Sequence, residues 1–115
     1  MGAREMICVA ISQSSDLSYA DKVIAISVHR ARTVGSPNIN IVFVGMSTSD
    51  VFNHRDMFTK YIDIGVKVYI EHSNERVRQI ILESCKEVYI PSSDELLHNL
   101  LRDVIPSDSV KIQQV

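Results

Sequence analysis

Met6-Ile7-Cys8-Val9-Ala10-Ile11-Ser12-Gln13-Ser14-Ser15-Asp16-Leu17 decides the fold class. Residues 6–11 are a continuous apolar run, which is how a strand reads when both faces of its sheet are covered. The small polar residues that follow, ending in Asp16, are the types that cap a helix start. The apolar period then changes: Leu17, Ala20, Ile24, Val28 and Ala31 recur at helical spacing across 17–34. Gly35 supplies a stop and Pro37 prevents continuation.

The same handover recurs along the chain. The run 39–44 precedes Thr48-Ser49-Asp50, 66–70 precedes Ser73-Asn74-Glu75, and 88–90 precedes Ser92-Ser93-Asp94. In the long stretch 46–64 the firm helical part is 57–64, with Phe58, Tyr61 and Ile62 facing inward. A helix over 75–84 turns Val77, Ile80, Ile81 and Cys85 to the core, and the strand 87–90 ends at Pro91. A helix over 93–104 carries Leu96, Leu97, Leu100, Leu101 and Val104 on one stripe. Residues 109–115 alternate, Val110 and Ile112 against Lys111 and Gln113, as an edge strand does. Alternating strands and helices predict one α/β domain spanning residues 1–115: three α/β/α layers around a mainly parallel five-stranded sheet. A flavodoxin-like strand order, with the last strand at or near an edge, is the expected topology.

Composition narrows the function. The chain has 115 residues, 45% hydrophobic and 23% charged, with net charge −2 and a pI near 6.0. That balance argues against nucleic acid as the main partner. The six-residue run 6–11 is too short to span a membrane, and no small-residue cleavage site follows it. Met6 stands where myristoylation needs Ser or Thr. Two cysteines without a secretory signal read as reduced thiols in a cytoplasmic protein.

In an open α/β sheet the residues just after each strand form the ligand-binding rim. Here these are 12–15, 45–49, 71–74 and 91–93, rich in hydroxyls and helix starts, which suit anions. The same residue types are also the best helix caps. Glu71-His72-Ser73-Asn74-Glu75-Arg76-Val77-Arg78 departs from good capping, because cations in the first turns are disfavoured by several tenths of a kcal/mol. With this loop beside 12–15, the candidate anion site is Ser12, Gln13, Ser14, Ser15, His72, Ser73 and Arg76. Alternatively Arg76 pairs with Glu75, Asp50 or a neighbouring subunit, and His72 is a turn residue. His54-Arg55 is a second basic pair that either joins the patch or forms a solvated loop.

Several chemistries lack their residues. The first turn has no glycines for a dinucleotide fingerprint or a P-loop, and strand ends Ile11-Ser12 and Ile70-Glu71 lack receiver acids. His29, His54, His72 and His98 are scattered without metal-ligand spacing, and no Gly-x-Ser-x-Gly elbow occurs. No cofactor or metal is expected. Cys8 reads as core. Cys85 is the one candidate catalytic thiol: Lys86 would lower its pKa, whereas a helix C-terminus would raise it.

Asp16-Leu17-Ser18-Tyr19-Ala20-Asp21-Lys22-Val23, Ile41-Val42-Phe43-Val44-Gly45 and Ile64-Gly65-Val66-Lys67-Val68-Tyr69-Ile70 resemble the DsrE/DsrF-like family of small α/β proteins. The resemblance implies a DsrE-like topology, homo-oligomers and a link to sulfur relay. Active sulfur carriers of that family place a cysteine just after the third strand, where this chain has Glu71-His72. Scaffold and assembly habit therefore carry over, and persulfide transfer at that position does not. Two expectations follow. One is a regulatory or non-catalytic homo-oligomeric module holding a small anionic ligand. The other is an enzyme, either a sulfur-transfer protein using Cys85 or a small transferase acting on a phosphorylated substrate.

Overall fold

The computed structural model describes residues 6–102 and 110–115. Its elements are β1 (Met6–Ser12), α1 (Leu17–Thr33), β2 (Asn38–Val44), α2 (Thr48–Asn53), α3 (Asp56–Thr59), β3 (Gly65–Glu71), α4 (Asn74–Ser84), β4 (Cys85–Ile90), α5 (Glu95–Arg102) and β5 (Lys111–Gln114). All five strands are parallel, and helices cover both faces, as the period changes predict.

Alternate residues of each strand feed the two layers. Ile7, Val9 and Ile11 of β1 and Ile39, Ile41 and Phe43 of β2 pack with Ala20, Val23, Ile24, Val28 and Ala31 of α1. Cys8, Ala10, Val42 and Val44 point the other way, against Val77, Ile80 and Ile81 of α4 and Leu97, Leu100 and Leu101 of α5. Each valine, leucine, isoleucine or phenylalanine among them contributes about 1.5–3 kcal/mol on leaving water, and that burial holds the helices to the sheet. Helix α1 ends as its sequence demands. Gly35 sits at φ 74°, with its N–H bonded to Arg32 O and the Ser36 N–H bonded to Ala31 O. Only a residue without Cβ takes that turn at little cost.

The layers are those expected, but the winding differs. The strand order is β3-β2-β1-β4-β5, so β3 is an outer strand and β2 separates it from β1. The loop after β3 therefore does not neighbour 12–15 across the switch point; the loop after β4 does. Doubly wound sheets reverse direction where the chain passes from one face to the other. Here that happens between β3 and β4, whose connection α4 lies on the opposite face from α1. As expected, β5 is at an edge.

Other boundaries shift for local reasons. The expected helix at 57–64 is replaced by two short helices, α2 and α3, and the chain leaves helix at Lys60. Ser47, rather than the following Thr-Ser-Asp triplet, caps α2 by accepting the Asp50 N–H. Ile62, expected inward, is 96% exposed, while Phe58 and Tyr61 do pack against the core. Val104 and Ser109, assigned to the last helix and strand, lie outside the described residues.

The cysteines are the largest correction. Strand β4 starts at Cys85 instead of Glu87, so Cys85 is a strand residue beside β1 and not a helical one. Both cysteines project into the α4/α5 layer, and they form the Cys8–Cys85 disulfide with Cα atoms 5.8 Å apart. They are not the reduced thiols expected, because strand pairing brings together residues 77 positions apart. On the α1 side β4 also buries Glu87. Arg30 donates to its two oxygens at 2.9–3.3 Å and the Tyr89 hydroxyl donates at 3.1 Å. Burial pushes the Glu87 pKa up, but these hydrogen bonds and the charges of Arg30 and Lys111 prevail and hold it below the ordinary value.

Candidate functional site

The carboxyl ends of β1 and β4, where a doubly wound sheet opens its crevice, are sewn together here. The hydroxyls of Ser12 and Ser15 both donate to Asp94 Oδ2, at 2.6 and 2.5 Å. Asp94 Oδ1 accepts the Leu97 N–H at 3.1 Å and so caps α5. The carboxylate is fully enclosed, at 1% exposure, and these charge-assisted bonds replace its lost hydration. Ser12 Oγ in turn accepts the Ser14 N–H, and Ser15 Oγ accepts the Ser12 N–H. The Gln13 and Ser15 amides bond to Val44 O and Ser12 O. Every amide from Ser12 to Ser15 is thus spent inside the protein. The loop has the hydroxyls of a phosphate loop but none of its backbone donors free.

The open part of the rim lies one strand over. Between α4 and α5, beyond the ends of β1 and β2, a cleft of about 390 Å³ is lined by Gln13, Val44, Gly45, His72, Asn74, Arg78, Leu96, Asn99 and Leu100. Gly45 forms its floor at φ 75°. A Cβ there would come within 3.2 Å of Gln13 Cδ, so the glycine lets the Gln13 side chain lie across the end of β2. Asn74 and Arg78, four residues apart on α4, make one wall, and Leu96, Asn99 and Leu100 of α5 make the other. Arg78 Nε is buried without a hydrogen-bond partner, the sole side-chain nitrogen or oxygen of that kind among the described residues. A buried donor left unpaired costs about 1–3 kcal/mol, so its position calls for an explanation. Among the described residues no acidic side chain lines the cleft.

The structure divides the sequence-derived set. Gln13 and His72 line the cleft. Ser12 and Ser15 are consumed by Asp94, and Ser14 is exposed on the loop they brace. Ser73 is the N-cap of α4, its hydroxyl accepting the Arg76 N–H. Arg76 faces solvent and donates to Gln79 Oε1 at 2.9 Å. His54 and Arg55 stay local, Nδ1 of His54 on Asp50 O and the Arg55 guanidinium 4.2 Å from the Phe52 ring centroid. Cys85 is fully buried in its disulfide and presents no thiol. Sequence reasoning missed Arg78 and Asn99. The signal for Arg78 was its spacing from Asn74, beside the buried Val77/Ile81 stripe.

Among the described residues no group of three or more His, Cys, Asp or Glu could hold a metal ion, and no helix is long and apolar enough to cross a membrane. No family model, curated protein or solved structure matches this chain.

Proposed function

We propose that this chain is a binding or regulatory α/β module, of the DsrE-like kind its sequence resembles, that holds a small anionic ligand in the cleft between α4 and α5. The observation that carries the reading is the unpartnered Nε of Arg78, whose side chain lines that cleft. A phosphate or carboxylate group would accept from Arg78, with His72, Asn74, Asn99 and Gln13 in reach of its remaining polar atoms. Leu96 and Leu100 would take an apolar portion of the same ligand. Binding is favoured over sulfur transfer because both cysteines are buried and joined to each other. A small transferase acting on a phosphorylated substrate would use the same cleft, with His72 as its one titratable side chain besides Arg78 among the described residues. A cytoplasmic setting belongs to the proposal. A disulfide at 0% exposure would meet cellular thiols there only when the fold opens.

Calorimetric titration with inorganic phosphate, sulfate and small phosphomonoesters tests the reading. Binding to the unmodified protein is expected, weakened roughly 10- to 100-fold in Arg78→Gln by loss of a charge-assisted hydrogen bond. Arg76→Gln should leave affinity unchanged. Equal affinity in wild type and Arg78→Gln, or no binding of any of these anions, would remove the proposal.

A further inference from the structure

Strand β3 is an outer strand, and among the described residues the charges of Lys67 and Glu71 are its one ordinary edge protection. All seven of its residues pair with β2, from Asn38↔Gly65 to Val44↔Glu71, without a register shift. It contains no proline and no bulge. Natural edges are usually shortened, bulged or covered. The opposite edge, β5, follows that habit with four residues. The Gly65 N–H donates to Pro37 O, and Glu71 O accepts from the Gly45 N–H. Residues 65, 67, 69 and 71 therefore spend their backbone groups on β2, and by alternation Val66, Val68 and Ile70 direct theirs outward. Among the described residues no other segment bonds to these groups. Val66, Val68, Tyr69 and Ile70 are only partly buried, and Ile62, 96% exposed, stands just before the strand.

We propose that β3 pairs with β3 of a second copy of this chain, antiparallel about a two-fold axis, joining two five-stranded sheets into one. The outward backbone groups admit only registers that set even residues against even residues. One of these places Lys67 opposite Glu71 of the second copy, and by symmetry Glu71 opposite Lys67. It also puts Tyr69 opposite its own equivalent and Val68 opposite Ile70. The Lys67–Glu71 positions would then be non-hydrogen-bonded pairs, whose side chains approach most closely. A shift of two residues either way breaks both charge pairs, so charge complementarity selects the register. Lys67 is already held along its own strand, Nζ 5.1 Å from the Tyr69 ring centroid. This interface is independent of the ligand cleft.

Sedimentation analysis of the intact protein should give twice the 13.0 kDa chain mass. Val68→Pro removes an outward N–H that β2 does not use, and should yield a folded monomer. Lys67→Glu and Glu71→Lys should each weaken association about ten-fold or more, by turning both attractive pairs repulsive. An equimolar mixture of those two variants should form heterodimers, since every acid then meets a lysine, and the double variant K67E/E71K should regain the wild-type dimer. A monomeric wild type, a dimer indifferent to all of these changes, or a mixture without heterodimer would overturn the proposal. Pull-down of a different protein through β3 by a monomeric wild type would overturn it as well.

Discussion

The two halves of the carboxyl rim use the same vocabulary to opposite ends. At β1 and β4, Ser12, Ser15 and Asp94 close on each other until no backbone donor of residues 12–15 is left over. Beyond the ends of β1 and β2, between α4 and α5, glycine, glutamine, histidine and arginine line a cleft with a buried donor to spare. The first half is held at both ends of its strand pair, by Asp94 at the carboxyl side and by the Cys8–Cys85 bond near the amino side. The second half has neither fastening. Rigidity on one side gives the other a fixed frame, which is what a binding cleft needs if it is to be preorganised. On the proposed reading, a polar rim segment binds through what it leaves unsatisfied, and hydroxyl content alone does not distinguish the two.

That contrast can be broken most sharply at Asp94. Asp94→Ala would leave the O–H donors of two buried serines and the Leu97 N–H unpaired and remove the cap of α5, costing about 3 kcal/mol or more in urea unfolding. A loss under about 1 kcal/mol would mean the seam does not hold the rim. Next in size is the disulfide. Closing a loop of 77 residues' separation should contribute about 2–4 kcal/mol, read as the stability difference between oxidised and reduced protein. A count of two free thiols under native oxidising conditions would contradict the bond itself. The smallest cost belongs to the cleft: Arg78→Gln should leave unfolding free energy unchanged or raise it by up to about 1–3 kcal/mol, because it breaks no internal bond of Nε and removes a buried unpaired donor. A cost comparable to that at Asp94 would make Arg78 a structural residue and the two halves alike.

Much of the scaffold was legible before any coordinates. The unbroken apolar runs of β1 and β2 and the 3.6-residue stripe of α1 are local patterns with one physical reading. So is the Gly35 stop, realised as a glycine at positive φ. The stretch between β2 and β3 was less legible. Phe58, Tyr61 and Ile62 suggested a helix, yet Tyr61 packs inward from a loop and Ile62 is exposed. The site was half legible. Gln13 and His72 were identified from their place after a strand. Arg76 was chosen over Arg78, although the two lie about 200° apart around the helix and only one can face α5.

By itself the sequence determined the α/β class, the place of the polar rim after the strands and the residue types available there. Those follow from periodicity and capping, which act over a few residues. Tertiary structure alone decided that β4, not β3, lies beside β1. From that one neighbour relation follow the Ser12–Ser15–Asp94 seam, the Cys8–Cys85 pair, the cleft beneath Arg78 and the open edge of β3. Each joins residues far apart in the chain, and strand order is set by how whole helices share two faces of a sheet, a competition that no local pattern records.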